Sequence, residues 1–304
     1  MPRYTLVTDE VAIRNYGAWH RLSDRVQRIL TPGDWPARLA VALGAPTAVQ
    51  VERHAVTLSQ SLGRASELRV GFAADFHAGP TTSLEVLRSA AHALQAEAPD
   101  LLLLGGDFVS LRPEYVDRVV PLVARIAAPL GHYAVLGNHD YWAGADRVAM
   151  ALRDAGIELL TNRCVTLAEP FTNVSLCGLD DHGSGRPDAD AAFSAAGPVK
   201  LVLMHSPSGL LDLASHRFSV AFSGHTHGGQ IALAGGRPVV VAHGALSRRY
   251  NQGRYDLAAG GTLLVSGGVG CTTIPIRINS PPAILVCTIR GASLNGRRDS
   301  VPKA

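Results

Sequence analysis

Three short apolar runs, each followed at once by polar residues, constrain this chain more than any other feature. LRVGFAA from residue 68, DLLLLGG from residue 100 and HYAVLG from residue 132 have the length of buried strands. Helical periodicity separates them at residues 83–97 and 113–127. That rhythm predicts βαβ units whose parallel strands are covered on both faces, and hence an α/β fold. A further helix is expected at 143–155, stopped by Gly156, and short strands at 157–160, 164–167, 173–178, 199–204, 218–223, 239–242, 254–258, 262–266 and 284–289. No repeat or low-complexity linker divides the chain. One continuous domain is therefore expected over residues 69–291. Residues 1–68, with a helical pattern at 19–30, a Pro/Gly turn at 32–36 and a strand in VQVERHAVTL, read as an N-terminal extension packed on it. Residues 292–304 read as a polar, frayed tail.

Restoring the polar residues to those strands produces a pattern. Asp75 and His77 follow the first, Asp107 the second, and Asn138, His139 and Asp140 the third; His205 follows a later strand, and His225 and His227 another. Ligands of α/β sheets bind at this edge, because loops leaving neighbouring strands converge there. Asp75, His77, Asp107, Asn138, His205, His225 and His227 offer more oxygen and nitrogen donors than one tetrahedral zinc accepts, and they suit two ions sharing a carboxylate. The i,i+2 pairs Asp75/His77 and His225/His227, read as extended segments, each point to one side of a cleft. The four cysteines form no CxxC pair, so a thiolate site is disfavoured. Mixed N/O donors without sulfur favour Mn²⁺, Zn²⁺ or Fe²⁺, and the imidazoles argue against a Mg²⁺ pair.

Several function classes fall away on composition and motif. A net charge of +3 is too small to predict nucleic-acid binding. GGVGCTT at 267–273 lacks the lysine of a P-loop, and no GxSxG nucleophile elbow is present. No stretch is long and apolar enough to span a bilayer, and no signal-peptide pattern opens the sequence, so a cytoplasmic location is expected. Residues 19–30 place Trp19, Leu22, Val26, Ile29 and Leu30 near one helical face, with Arg21, Arg25 and Arg28 filling much of the rest. Such a helix either packs its stripe on the domain beside it or lies peripherally on the inner face of an anionic membrane.

The blocks ADFH (74–77), GGDF (105–108), GNHD (137–140), the His205 block and GHTH (224–227) resemble, in order, the motifs of the calcineurin-like metallophosphoesterases. GHTHGGQ, RRYNQGRY, LVSGGVG and PIRINSPP further resemble a bacterial branch that hydrolyses phosphodiester or pyrophosphate bonds, lipid precursors included. The resemblance implies two mixed β-sheets packed face to face as a sandwich, helices outside, and two divalent ions at one rim. It implies Asp75, His77 and His227 on one ion, Asn138, His205 and His225 on the other, and Asp107 bridging. Ala74 departs from the serine common in the family, and Phe76 and Phe108 make the rim unusually aromatic. Neither change replaces a ligand.

Two ions about 3.5–4 Å apart lower the pKa of a bridging water and clamp the oxygens of an in-line transition state, which suits hydrolysis of an anionic phosphodiester. By resemblance His139 is the general acid, and its alternative is to orient Asn138 or Asp107. Asp140, Asp180 and Asp181 are candidate supporting carboxylates for the histidines. Arg248, Arg249 and Arg254 suit a second phosphate or, alternatively, solvent and structural ion pairs. The substrates implied are small-molecule or lipid-linked phosphodiesters or pyrophosphates, a UDP-diacylglucosamine-type lipid precursor among them. The alternative outside enzymology is a metal-binding scaffold without turnover.

Overall fold

In the computed structural model, which describes residues 22, 25, 26, 29–31, 33–213 and 215–292, two six-stranded sheets pack face to face. The first takes the order β1 (Gln50–Thr57), β12 (Ala283–Arg290), β2 (Glu67–Ala73), β3 (Leu101–Leu104), β4 (His132–Ala134), β5 (Glu158–Leu159). The second takes β10 (Gly253–Asp256), β11 (Thr262–Val265), β9 (Val220–Ser223), β8 (Val199–Leu203), β7 (Val174–Gly178), β6 (Arg163–Thr166). Both are mixed: β2 through β5 and β7 through β9 run parallel, while β12 meets β2, β6 meets β7 and β10 meets β11 antiparallel.

The unbroken Leu101–Leu104 run explains the layering. Side chains alternate across a strand, so Leu101 and Leu103 enter the core between the sheets with Phe72, Leu203 and Phe222. Leu102 and Leu104 face the other way, against Leu87, Leu94 and Leu152 of α2 (Leu84–Ala96) and α4 (Asn138–Asp154). Full burial contributes about 1.5–3 kcal/mol per leucine. The outer face of the second sheet is covered by α5 (Ala189–Phe193) through Ala192 and Phe193. The result is the helix-flanked sandwich expected from the resemblance.

Three local expectations change. The helix read at 113–127 divides into a 3₁₀ turn, Pro113–Arg118, and a single α turn, α3 (Val120–Val123), because Pro121 lacks the N–H a continuous helix requires. The strand read at 239–242 is a loop. Val239 and Val240 are exposed, so no buried face holds that segment in a sheet. The helix read at 143–155 begins earlier, at Asn138, with Gly144 breaking its helical path. At the N-terminus the turn read at 32–36 forms at residues 33–34, and α1 (Trp35–Ala42) starts directly after it, with Pro36 in its first turn. Most of the pattern at 19–30, and the tail from residue 293 onward, lie outside the described residues.

Candidate functional site

The ends of β2, β3, β4, β8 and β9 bring all seven expected donors into one buried cluster. Asp75, His77 and His227 place ligand atoms within 4.8 Å of one another, as do Asp107, His205 and His225, and as do His77, Asp107 and His139. Asp107 Oδ2 joins the groups, 3.4 Å from His77 Nε2 and 3.3 Å from His205 Nε2. His77 Nε2 faces His227 Nε2 at 3.0 Å. His205 Nε2 lies 3.1 Å from both Asn138 Oδ1 and His225 Nδ1.

The backbone reaches this arrangement differently from the extended i,i+2 geometry expected. Asp75, His77, Asp107, His225 and His227 all have positive φ, between 42° and 72°. Left-handed conformations cost non-glycine residues energy, and such strain concentrates at functional sites. Gly137 permits the close approach of two loops: a Cβ there would collide with Asp107 Oδ1, the atom that accepts the His139 backbone N–H at 2.8 Å.

Backbone carbonyls aim the imidazoles. His205 Nδ1 lies 2.8 Å from the Gly105 carbonyl, and His225 Nε2 lies 2.7 Å from that of His243, which leaves the opposite nitrogen of each ring in the cluster. Both carboxylate oxygens of Asp75 accept the His225 backbone N–H, at 3.0 and 2.9 Å. His139 is seated with its Nδ1 3.2 Å from the Ser110 carbonyl and its ring edge-on to His77, centroids 4.6 Å apart.

The supporting carboxylates act on backbone groups and on the Tyr141 hydroxyl rather than on histidines. Asp140 accepts from the N–H groups of Phe108 and Val109 through Oδ1 and of Gly137 through Oδ2, stapling the second and third loops together. Burial, reinforced by the nearby Asp107 charge, pushes its carboxyl up to about 8. Asp180 accepts from Tyr141 Oη and the Arg186 N–H, and Asp181 from the N–H groups of Gly183 and Ser184. Of the arginine cluster, Arg254 is committed to Asp256 at 2.9 Å and to the Ala55 carbonyl, and Arg249 lies over the Tyr250 ring.

The sequence reading missed the role of Arg277. It is buried behind His227, donating to the carbonyls of His227, Gly267, Gly270 and Ser280, with Nη2 3.2 Å from His227 Nδ1. Its one sequence signal is a charged residue alone in the apolar segment PIRINSPP.

The titration states suit a cation. Burial, with neighbouring positive groups, holds His77 and His227 well below the usual imidazole range, and burial first and His205 second lower His225 to about 4. These rings present lone pairs at neutral pH, as metal ligation requires. Burial also works against a charged His205, but the carboxylates around it, Asp107 foremost with Asp75 and Asp181, together outweigh it and hold that imidazole well above its usual range. In Asp107 burial is outweighed in the opposite sense by His205, His139 and His77 together, which keeps the carboxylate ionised, while burial raises Asp75 to about 7. A cation entering at pH 7 must therefore displace the proton on His205 and part of one on Asp75. Calorimetric titration of the metal-free protein with Zn²⁺ at pH 7, in buffers of different ionisation enthalpy, is expected to show release of about one proton or more. The release should shrink as pH rises and those groups empty; a heat independent of buffer would contradict this assignment.

A family model for calcineurin-like phosphoesterases matches residues 68–229, the span that carries every one of these donors. The chain belongs to this family. It is 29% identical to an uncharacterized metallophosphoesterase of Aquifex aeolicus over 83% of this chain and 98% of that one. The phosphodiesterase YaeI of Escherichia coli is 31% identical over 56% of this chain and 64% of that one. The UDP-2,3-diacylglucosamine pyrophosphatase LpxG of Chlamydia trachomatis is 25% identical over 62% and 72%. The metal-ligand clusters and the family together support a metal-dependent hydrolase. No helix among the described residues is long and apolar enough to cross a membrane.

Proposed function

We propose that this metallophosphoesterase hydrolyses phosphodiesters, with Asp75, His77 and His227 holding one divalent ion, Asn138, His205 and His225 a second, and Asp107 both. The observation that carries this reading is the position of Asp107 Oδ2, 3.4 and 3.3 Å from one imidazole of each set. Two ions held there supply positive charge that neutralises the phosphate and acidifies water for attack. Mn²⁺, Zn²⁺ and Fe²⁺ fit the nitrogen and oxygen donors. His139, fixed by Asp107 on its backbone and by Ser110 on its ring, hands a proton to the departing alcohol. Asp140 holds the two loops in register.

The test is turnover of bis(p-nitrophenyl) phosphate by protein loaded with Mn²⁺ or Zn²⁺. His139→Gln is expected to lower kcat by roughly 10²–10⁴ while bound metal stays constant. A wild-type protein carrying two ions and turning over no diester would overturn the reading and favour a scaffold.

A second reading, a lipid-linked diphosphate substrate, is favoured by the surface beside the site. All large exposed apolar side chains among the described residues, Met150 and Leu211 excepted, fall within 22–43 or 233–278. The two stretches are neighbours: α1 shares a crevice with Cys271 and Pro275, and Ile231 bridges to Ile278. Leu22, Val26, Ile29 and Leu30 of the amphipathic segment are exposed rather than covered by described residues. No Asp or Glu occurs from 213 to 255, whereas Arg237, Arg248 and Arg249 do; Arg38 in α1 is paired with Asp34 at 3.3 Å. An apolar surface carrying these arginines suits contact with an anionic lipid surface. A nucleotide-diphospho-lipid in anionic vesicles, included in the same screen, decides between the readings by relative kcat/KM.

A further inference from the structure

A cavity of about 440 Å³ opens beside Asn138 and His225, walled by loops outside the five family motifs. Trp142, four residues after Asn138 on α4, forms one side and stands against His139, ring centroids 4.7 Å apart. His182 and Ser184 after β7, and Ser206 and Ser208 after β8, form others. Its size suits a single ring rather than a peptide or nucleic-acid strand.

Two features of the wall point to a ligand. His182 Nδ1 lies 2.7 Å from Asp212 Oδ2, which orients the imidazole as a carboxylate orients a working histidine and leaves Nε2 as its remaining polar atom. Ser184 is 1% exposed, and its Oγ has no hydrogen-bond partner among the described residues. Its backbone N–H is already held by Asp181, so the turn that presents this hydroxyl is fixed. A buried hydroxyl left unsatisfied is costly, and a ligand hydroxyl would satisfy it.

The charges choose the ligand's chemistry. Among the described residues no lysine or arginine lines the cavity, and Asp181 does. A second phosphate would meet that carboxylate without a permanent cation to offset it. Hydroxyls meet acceptors and donors on several walls, and the indole offers a surface to the apolar face of a ring.

We infer that this cavity binds a neutral, hydroxyl-bearing ring, such as a sugar, esterified to the scissile phosphate, and that His182, positioned by Asp212, and Ser184 recognise its hydroxyls. The inference rests on the phosphodiesterase reading and narrows it to diesters with one polyhydroxylated ester group.

The experiment compares the p-nitrophenyl diesters of glucose 6-phosphate and of cyclohexylmethyl phosphate, which share a leaving group and a six-membered ring but differ in hydroxyls. The Mn²⁺-loaded wild type is expected to prefer the glucosyl diester by about tenfold or more in kcat/KM. His182→Phe and Ser184→Ala should each remove most of that preference, mainly through KM, and leave the cyclohexylmethyl diester within about threefold of wild type. In parallel, calorimetry should show glucose 6-phosphate binding weakened about tenfold by His182→Phe. Equal use of both diesters by the wild type, or equal losses on both in the variants, overturns the subsite. Turnover of neither diester counts against the phosphodiesterase reading instead, and the binding measurement then decides the subsite alone.

Discussion

Asp107→Asn is expected to abolish turnover of phosphodiesters, by on the order of 10³ or more, and to cut bound metal from two ions to one at most. The substitution preserves shape. An asparagine oxygen in the place of Oδ1 still accepts the His139 backbone N–H now made at 2.8 Å, so the two loops remain in register. The loss is confined to Oδ2, the carboxylate oxygen lying 3.4 Å from His77 Nε2 and 3.3 Å from His205 Nε2 at once. An amide nitrogen there has no lone pair for a cation and directs its hydrogens at the lone pairs the metals need. It also removes the negative charge that counters burial in His205, so that imidazole returns toward the neutral form. Elemental analysis and turnover of the same sample provide the check, with thermal unfolding to establish that the variant is folded. Full turnover by a folded variant without bound metal would refute the two-ion mechanism.

The part of the site that is legible in the sequence is the part written locally along the chain. A strand that ends in Gly-Gly-Asp or Gly-Asn-His announces both its own end and the chemistry placed there, although the sequence does not show that three of the five endings come from one sheet and two from the other. The Leu101–Leu104 run was legible for the same reason, since only a strand covered on both faces buries four consecutive leucines. Properties that depend on distant partners were not. Val239 and Val240 have strand propensity, but whether a strand forms depends on a buried face, which this loop lacks. The positive φ of His77 or His225 follows from how neighbouring loops crowd, and nothing in ADFH or GHTH encodes it locally. Asp140 stands beside His139 in sequence, yet two of its partners, the Phe108 and Val109 N–H groups, are about thirty residues away. His182 acquires meaning only when the chain brings Asp212 to its ring.

Arg277 is the extreme case of that second kind, and its replacement by methionine should have the largest effect on stability. Its guanidinium is desolvated, and burial pulls its pKa down, but the group stays charged because carbonyls of four residues accept from it. Methionine fills much of the same space and satisfies none of those carbonyls. Breaking a buried charged network of this kind costs about 3–5 kcal/mol. For a chain of this size that corresponds to a fall in Tm of roughly 6–20 °C. Lysine should not rescue it, since one ammonium with three donors cannot span carbonyls from residues 227, 267, 270 and 280 in the planar fork that arginine presents. The catalytic consequence follows from place. The network holds the His227 backbone and backs its ring at Nδ1, so its loss should weaken retention of one ion before the other. Below its lowered Tm, folded Arg277→Met should therefore bind metal in two separated steps under a chelator titration, where the wild type releases both ions over a narrower range. Unchanged Tm and unchanged chelator release would show that Arg277 does not tie the loop of residues 267–280 to the metal site.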